Sequence, residues 1–303
     1  MISIRNIVKQ YANHKALDNV SIEVEKGTVF GLLGPNGAGK TSLIRIINQI
    51  TAPDSGEILL DGQKLNKNHI EQIGYLPEER GLYKKMEIGE QILYLAQLKG
   101  LSMAEAKTRA RYWFKKLEIQ DWWNKKIEEL SKGMQQKAQF VATVIHNPDL
   151  LILDEPFSGF DPVNAEIIKN EILELNRNGA TVIFSTHRME SVEELCHSIA
   201  LLNKSKKILD GKVKNIRNAY RNGTYNIEYE GNKINADGRL PFKILSESNV
   251  DGTHQMTINI GDGTWVNDVL QYILPLVNIT KLEEKIPTMH EIFIQKVSKE
   301  DAQ

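Results

Sequence analysis

The sequence predicts an α/β fold built on a largely parallel sheet, followed by a small α+β domain. Two apolar runs, LLIL at 150–153 and TVIFST at 181–186, flank a segment near 165–177 with helical spacing. Near-continuous apolar strands that alternate with helices are typical of a parallel sheet covered on both faces. Beyond residue 217 the pattern changes to strands of alternating polarity. We therefore predict a large domain over residues 1–217 and a small accessory domain over residues 218–303.

The residue pattern in the first quarter of the chain predicts several strands and one helix. The apolar run TVFGLL ends at Gly34, and a helix is expected from about residue 40 to 49, before the turn-rich APDSGE. The segment EILLDGQKL is typical of a hairpin with Asp61-Gly62 as its turn. Further strands are predicted for ISI at 2–4, VSIEVE at 20–25 and IGYLP at 73–77.

The middle of the chain, from about residue 89 to 126, predicts helices, since Ile88, Ile92 and Leu95 fall at i, i+4 and i+7. Its second half is dense in cations and large aromatic side chains. One interpretation is a solvated helix face with aromatics packed beneath it, which is the usual meaning of a charge run. The other is a docking surface near a membrane or a partner. The residues concerned are Lys107, Arg109, Arg111, Trp113, Lys115, Lys116, Trp122, Trp123, Lys125 and Lys126.

Composition restricts the classes of function. The chain has 303 residues and a net charge of −1, so no basic footprint for nucleic acid is visible. Its one cysteine, Cys196, excludes an internal disulfide, suits a reducing compartment, and is expected to pack as a small apolar residue. No run reaches the roughly 18 apolar residues of a membrane helix, and the N-terminus lacks the apolar core of a signal peptide. Any membrane role is therefore expected to act through a partner.

A glycine-rich segment with the spacing of a phosphate loop follows the predicted strand TVFGLL. Glycines allow the backbone to approach phosphate oxygens closely, and the free amides at the start of the next helix face the anion. Lys40 is expected to bridge β- and γ-phosphates, and the Thr41 hydroxyl to bind Mg²⁺. The residues expected to bind the nucleotide here are Gly34-Pro35-Asn36-Gly37-Ala38-Gly39-Lys40-Thr41 and the next residue, Ser42.

Ionisable residues also follow the two buried strands. An acid pair at the end of a buried strand is costly unless it meets a cation or transfers a proton. We predict that Asp154 holds Mg²⁺ through water and that Glu155 polarises the attacking water as a general base. Because strand C-termini of such sheets converge on ligands, His187 is predicted to contact the γ-phosphate.

The polar segment LSKGMQQK at 130–137 has the properties of a second anion site. Ser131 offers a hydroxyl, Gly133 an unobstructed amide, and the helix predicted to follow has a positive end. Ser131 is also expected to be a simple helix cap, and capping chemistry is what creates the anion site.

Five segments in this order resemble the ATP-binding cassette ATPases: GPNGAGKT, LSKGMQQK, LLILDEP, SGFD and STH. The resemblance covers roughly residues 1–215, and the segment GYLPEERGLY with a small C-terminal domain is similar to the separate ATPase subunits of ABC-2-type exporters, such as sodium-export ATPases. It implies a P-loop NTPase cassette with a parallel-sheet core, an antiparallel β-subdomain and a helical subdomain at about 87–147.

The resemblance also implies the ligands and a partner copy. ATP and Mg²⁺ are expected, with LSKGMQQK as the signature that binds the γ-phosphate held by a second copy, so that two chains bury two ATP molecules head to tail. Asp161 of SGFD would link the two sites, and Tyr11 would lie against adenine or pack in the β-subdomain. Glu78 stands where most relatives have glutamine, near Mg²⁺ and the attacking water. The implied nucleotide contacts outside the phosphate loop are Tyr11, Ser131, Lys132, Gly133, Met134 and Asp161.

Two residues depart from the family pattern. Glu78 adds a negative charge near the γ-phosphate, which leaves the rate of hydrolysis and its coupling open. Met134 replaces the usual glutamine at the end of the signature, but the backbone amides are unchanged, so ATP clamping is expected to persist.

The function implied is that of an ATPase subunit that energises separate transmembrane permease subunits, with export favoured. Such a chain would lie at the cytoplasmic face of the membrane and contact the permease through residues 107–126 and 78–83. One alternative is a cassette ATPase that acts on ribosomes or DNA, although the double cassettes, long coiled-coil insertions and strong basic patches of that class are not visible. A second alternative is an ATP-dependent sensor with weak hydrolysis, which the carboxylate of Glu78 leaves open.

Overall fold

The computed structural model describes residues 2–79, 81–234, 240–261 and 263–301, with the side chains of 299–301 left out. The chain divides into two compact units, Met1–Val213 and Lys214–Gln303. The domain boundary after residue 217 stays a prediction. The described part of the chain contains no helix that qualifies as a membrane span.

The first unit contains ten strands and six helices among its described residues, and a seventh helix begins at its end. The strands are β1 (Ile2–Tyr11), β2 (His14–Val24), β3 (Val29–Leu33), β4 (Ser55–Leu60), β5 (Gln63–Lys64), β6 (Ile73–Leu76), β7 (Leu150–Asp154), β8 (Thr181–Thr186), β9 (Ser198–Asn203) and β10 (Lys206–Lys212). The helices are α1 (Lys40–Ile47), α2 (Ile88–Leu98), α3 (Met103–Lys116), α4 (Lys132–Val144), α5 (Pro162–Arg177), α6 (Met189–Leu195) and α7 (Val213–Ala219).

The central sheet has the strand order β10-β9-β3-β8-β7-β6. Its five strands from β9 to β6 are parallel, and β10 closes the edge as the antiparallel arm of a hairpin. Every residue of β3, β7 and β8 is buried, as expected for strands covered on both faces. The carboxyl ends of these three neighbouring strands therefore lie at one edge of the sheet, which confirms the predicted parallel core.

A second, antiparallel sheet with the order β2-β1-β4-β5 forms the β-subdomain. Asp61 and Gly62 join β4 to β5, and both have positive φ angles, 46° and 80°. This is the conformation of a type I′ hairpin turn, as the Asp-Gly pair predicts. Helix α1 contributes Leu43, Ile44 and Ile47 to the core shared with this sheet and the central sheet.

Gly31, in the middle of β3, is closely packed against Cys196. A Cβ atom at Gly31 would lie 3.0 Å from the Sγ of Cys196. Cys196 is buried, which confirms its expected role as a packing residue, and burial raises the pKa of its thiol to about 12.

The helical subdomain consists of α2, α3 and α4, and Trp113, Phe114 and Phe140 are packed inside it. Trp113 meets Phe140 edge to face with ring centroids 5.9 Å apart, and Trp123 meets Phe114 at 5.0 Å. A Cβ atom at Gly89 would lie 2.3 Å from the indole of Trp123. The cations Lys107, Arg111 and Lys115 face solvent. This geometry is that of a solvated face over packed aromatics, and a docking role for the surface stays a prediction.

The second unit is a small α+β domain. Its sheet has the order β12-β13-β11-β14, and all its strand pairs are antiparallel. Its core is formed by residues that include Ile227, Tyr229, Ile258, Val269 and Ile273. The bounds of its elements are β11 (Thr224–Glu230), β12 (Lys243–Val250), β13 (Thr253–Asn259), α8 (Val266–Ile273), β14 (Asn278–Glu284) and α9 (Met289–Asp301).

Candidate nucleotide site

The phosphate loop connects the end of β3 to the start of α1, and its glycines are required by space and by backbone conformation. Gly34 has φ 148°, and a Cβ atom there would lie 2.3 Å from the carbonyl oxygen of Leu202. Gly39 has φ 107°, and its Cβ atom would lie 2.4 Å from the oxygen of Ala16. Any other residue at these two positions would collide with backbone, so the loop keeps its amides uncovered.

Lys40 is the first residue of α1 and is buried inside the loop. Its Nζ donates hydrogen bonds to the carbonyl oxygens of Gly34 at 2.7 Å and Pro35 at 3.1 Å. Burial lowers its pKa, and the carboxylates of Glu155, Asp154 and Glu78 oppose that shift. The ammonium group is therefore held by its own loop within a field of three carboxylates.

A cleft of about 390 Å³ opens beside this loop. It brings together side chains from the ends of β3, β7 and β8 with others from the β-subdomain and from the segment after β6. The lining residues are Tyr11, His14, Ala16, Asn36, Gly37, Gly39, Lys40, Thr41, Ser42, Glu78, Asp154, Glu155 and His187. Pro35 and Ala38 belong to the same loop, where Pro35 accepts from Lys40 and Ala38 is buried.

Asp154 ends β7 and is 2% exposed. Burial raises its pKa, the charges of Glu78 and Glu155 add to that shift, and the neighbouring Ser185 and the Lys40 ammonium oppose it. The Thr41 hydroxyl lies 3.4 Å from the Asp154 carboxylate. A carboxylate in such surroundings is electrostatically unfavourable until a cation approaches it.

Glu155 follows in the left-handed region, with φ 49°. Its carboxylate accepts from the His187 backbone N–H at 2.9 Å and from the Thr186 hydroxyl at 3.2 Å. The Nδ1 of His187 lies 2.6 Å from the same carboxylate oxygen, Oε1. Since φ near +50° is uncommon for glutamate, the strained backbone and the three contacts together fix the direction of its carboxylate.

The signature segment lies outside this cleft. Ser131 caps α4, and its hydroxyl accepts from the Met134 N–H at 3.3 Å. A Cβ atom at Gly133 would meet nothing closer than 3.8 Å, so the start of α4 is uncovered. Lys132 is exposed at the same position. The four predicted signature contacts are therefore close to one another but do not line the cleft of their own chain.

Asp161 also lies apart from the cleft, as the cap of α5. Its carboxylate accepts from the Asn164 backbone N–H at 3.0 Å and from the Asn164 side chain. These hydrogen bonds lower its pKa.

Tyr11 and Glu78 enter the cleft from exposed positions. Tyr11 is 39% exposed, and the Nζ of Lys9 lies 5.4 Å from its ring centroid. Glu78 is exposed and enters the cleft after β6. Arg80, in the segment 78–83 predicted to contact a permease, lies outside the described residues.

Three residues at the site were not predicted from the sequence. Thr186 supports Glu155, and its only signal was its place beside His187. His14 and Ala16 line the cleft because the β1–β2 turn brings the start of β2 back beside Tyr11. Nothing in the local sequence distinguishes them from ordinary strand residues.

Comparisons with known proteins agree with this geometry. Residues 17–158 match the ABC transporter family, and residues 211–297 match the C-terminal domain of DrrA1-3-like ATP-binding proteins. The uncharacterized ABC transporter ATP-binding protein YhaQ of Bacillus subtilis strain 168 is 40% identical over 307 residues, which covers 98% of each chain. The Nod factor export ATP-binding protein I of Cupriavidus metallidurans is 32% identical over 215 residues, 70% of this chain and 71% of that protein.

A solved structure of a dimeric ATP-binding cassette, in a post-hydrolysis state with ADP and Pi bound, superposes with a TM-score of 0.64. It is 25% identical, and the match covers 70% of this chain and 98% of that one. The predicted cassette fold and the resemblance drawn from the five motifs are both confirmed. This chain belongs to the ABC transporter ATP-binding proteins and is an ATP-hydrolysing enzyme.

Proposed function

We propose that two copies of this chain pair head to tail around two ATP molecules, and that their closing and opening drive separate permease subunits in the direction of export. The dimer is proposed because the cleft of one chain lacks the signature segment of that chain. Lys40, Thr41, Asp154 and Glu155 line it, whereas the uncovered start of α4 at Gly133 does not. A second copy turned head to tail would supply that missing anion site.

The cleft suits a nucleoside triphosphate as substrate. The loop amides and the Lys40 ammonium are donors for phosphate oxygens, and the exposed ring of Tyr11, which also lines the cleft, offers a surface for a base. With phosphate bound, Lys40 would exchange its hydrogen bonds to Gly34 and Pro35 for stronger charge-assisted ones.

Thr41, Asp154 and Glu78 are the residues that would hold Mg²⁺. A hydroxyl and carboxylates are the oxygen ligands that Mg²⁺ prefers, and the raised pKa of Asp154 indicates a carboxylate in need of a cation. No cluster of three or more His, Cys, Asp or Glu side chains that could bind a metal occurs among the described residues. Oxygens of phosphate and water would therefore complete the shell, and the ion would neutralise phosphate charge.

Glu155 and His187 are placed for proton transfer and orientation. The Glu155 carboxylate, held by Thr186 and the His187 backbone, would accept the proton of the attacking water. Contact between Nδ1 of His187 and Glu155 leaves the Nε2 of the exposed ring available for a phosphate oxygen.

An apolar groove of about 370 Å³ is the surface we assign to the permease. It lies between α1, β6 and the helical subdomain, and it includes Gly81 and Leu82 of the segment that carries Glu78. Ile50 and Leu98 at its rim are 60% and 61% exposed. Its occupant would be an amphipathic helix of the membrane chain, which would bury the apolar rim and contact the segment leading to the cleft. Residues 107–126 do not line this groove.

The relatives support transport over the alternative of a ribosome- or DNA-directed ATPase. YhaQ is named as an ABC transporter ATP-binding protein, and the Cupriavidus relative is named for export. Attachment to the cytoplasmic face of the membrane would follow from permease binding. The cargo would be selected by the permease.

The test is the variant Glu155→Gln. It removes the proton acceptor but keeps the shape and the hydrogen-bonding oxygen, so we expect ATP binding to persist and phosphate release to fall by roughly 100- to 10,000-fold. The variant should sediment as a dimer with Mg-ATP and as a monomer with ADP. Glu90→Gln, an exposed glutamate in the first turn of α2, is the control and should behave as the parent. Near-parental turnover of Glu155→Gln would remove Glu155 from its role, and a monomer with Mg-ATP would contradict the dimer.

A further inference from the structure

A second cleft, of about 430 Å³, separates α3 and the end of α4 from α5. One side chain crosses it. Lys116, in the last turn of α3, places its Nζ 2.6 Å from Oε2 of Glu171 and 2.7 Å from Oε1 of Glu174. The two glutamates are three residues apart and therefore share one face of α5. The bridge thus joins two helices at a place where a cleft lies between them.

The bridge is partly enclosed by its surroundings. The side chains of Lys116, Glu171 and Glu174 are 21%, 11% and 43% exposed. Burial alone would lower the pKa of Lys116, but hydrogen bonds to Glu171 and Glu174 outweigh it and raise the pKa above its usual value. The ammonium group also lies 5.6 Å and 5.3 Å from the ring centroids of Tyr112 and Trp113.

A partly buried ion pair of this kind adds little net stability compared with apolar side chains of similar volume, because both charges lose water. Its effect is mainly geometric. Lys116 donates a hydrogen bond to Glu174 and forms an ion pair with Glu171, and these contacts limit the separation of α3 and α5 more narrowly than the cleft walls alone would.

Both helices connect to parts of the composite site. Trp113 of α3 packs on Phe140 of α4, and α4 begins at the signature serine, Ser131. Helix α5 begins at Asp161. These N-terminal ends lie near each other, since a Cβ atom built at Gly133 would be 3.8 Å from the carbonyl oxygen of Gly159. A tie between α3 and α5 therefore sets how the start of α4 lies relative to the start of α5.

We propose that Lys116 is a positioning residue for the nucleotide of the partner copy: by binding Glu171 and Glu174 it holds the helix that begins at Ser131 in register with the helix that begins at Asp161. This rests on the head-to-tail dimer proposed above. Lys116 does not line the nucleotide cleft of its own chain, so it acts on dimer closure and leaves the first binding of ATP unchanged.

The test replaces the bridge by apolar side chains in the full-length Glu155→Gln background, which is expected to bind ATP and hydrolyse little of it. The variant is Lys116→Met with Glu171→Leu, which avoids leaving Glu171 as an unpaired buried charge. We expect the ATP affinity of the dilute monomer to stay within about twofold and the melting temperature to stay near the parent's. The dimer dissociation constant at saturating Mg-ATP should rise about tenfold, within the range that networks linking two sites contribute.

A matched control exists on the other side of α5. Lys169 binds Glu166 and Glu194 at 2.5 Å and 2.6 Å, which joins α5 to α6. Lys169→Met with Glu194→Leu removes an equivalent bridge and should leave the dimer dissociation constant unchanged. Lys116→Arg, which keeps a cation able to reach both glutamates, should keep dimerisation within about threefold of the parent.

The dimerisation measurements distinguish a failure of the Lys116 proposal from a failure of the head-to-tail dimer. A parent that dimerises with Mg-ATP and an apolar variant that dimerises equally well would overturn the role of Lys116 and leave the dimer intact. Equal weakening in the Lys169 control would overturn it too, because any bridge on α5 would then have the same effect. A parent that stays monomeric with Mg-ATP would overturn the dimer and this inference with it.

Discussion

At the scale of single residues, Asp154 shows how a binding site conflicts with stability. Its folded-state pKa is raised, chiefly by burial, so between the unfolded pKa of about 3.9 and the higher folded value the native state binds more protons than the unfolded state. Unfolding then releases protons, and stability falls as pH rises through that window. At neutral pH the whole penalty is present.

We therefore expect Asp154→Asn to stabilise the nucleotide-free protein at pH 7.5, by roughly 2–4 °C in Tm if the penalty is about 1 kcal/mol. The difference from the parent should shrink as pH falls through the folded-state pKa toward about 4, and it should vanish below that, where the aspartate of the parent is protonated in both states. With Mg-ATP the order should reverse, since the parent gains a bound cation. Differential scanning calorimetry at both pH values measures this, and an apo variant less stable than the parent at pH 7.5 would contradict it.

Several of the residues that meet in the cleft were predictable, because they lie at or after the end of a buried strand. Lys40 and His187 come after β3 and β8, Asp154 ends β7, and parallel strands end at the same edge of a sheet. The left-handed conformation of Glu155 and its support by Thr186 were not predictable, since they depend on how the strand ends turn in space. Their assigned roles remain predictions that the experiments above address.

At the scale of elements, the start of α2 depends on a glycine. The Gly89 N–H donates to the carbonyl oxygen of Trp123 at 2.9 Å, and the indole of Trp123 lies where a Cβ atom would be. Gly89→Ala forces the ring or the helix to move, so we expect a loss of about 1–3 kcal/mol in the free energy of unfolding of the first unit, typical of overpacking. Urea unfolding followed by tryptophan fluorescence measures it.

Gly81→Ala is the control for this prediction. A Cβ atom at Gly81 would meet nothing within 4 Å, so stability should change by less than about 0.5 kcal/mol. If the two variants were equally stable, the tight contact between Gly89 and Trp123 would be irrelevant to the stability of the helical subdomain.

Element prediction succeeded where polarity patterns were strong and failed where strands are exposed. The Asp61-Gly62 hairpin and the buried strands β7 and β8 are as expected. The strands β12 and β14 were not predicted. Both are edge strands of the second sheet and are largely exposed, so KILSESNV and NITKLEE carry too little apolar alternation to be recognised.

At the scale of the whole molecule, head-to-tail pairing makes a prediction about mixtures. Lys40→Ala should lose the phosphate contact of its own cleft, and Gly133→Asp should repel the phosphate of its partner's nucleotide. Each variant alone should have little ATPase activity. In a mixed dimer the two defects fall in the same composite site, and the other site keeps an intact loop and an intact signature.

Mixing the two inactive proteins should therefore restore activity to about a quarter of the parent's, since half of randomly formed pairs are mixed and each has one of two sites intact. Phosphate release after mixing equal amounts is the measurement. The double variant carrying both changes in one chain is the control and should restore nothing when mixed with either single variant. Absence of recovery in the mixture of single variants would contradict the head-to-tail arrangement.

The order of two domains along the chain was visible in the sequence because each unit has its own hydrophobic pattern. The sequence did not predict the groove near Gly81 or the ion pairs of Lys116. Both depend on the angle at which the helical subdomain packs on the central sheet, and side-chain periodicity does not determine that angle.

The buried thiol of Cys196 makes the natural chain convenient for spectroscopy. A protonated sulfur enclosed beside Gly31 reacts slowly with maleimides, because the reactive species is the accessible thiolate. A single cysteine introduced on an exposed helix position, such as Lys107→Cys, would therefore take up a fluorophore selectively without deletion of the native one. Donor and acceptor dyes attached in this way to separate preparations would report the approach of two molecules in real time.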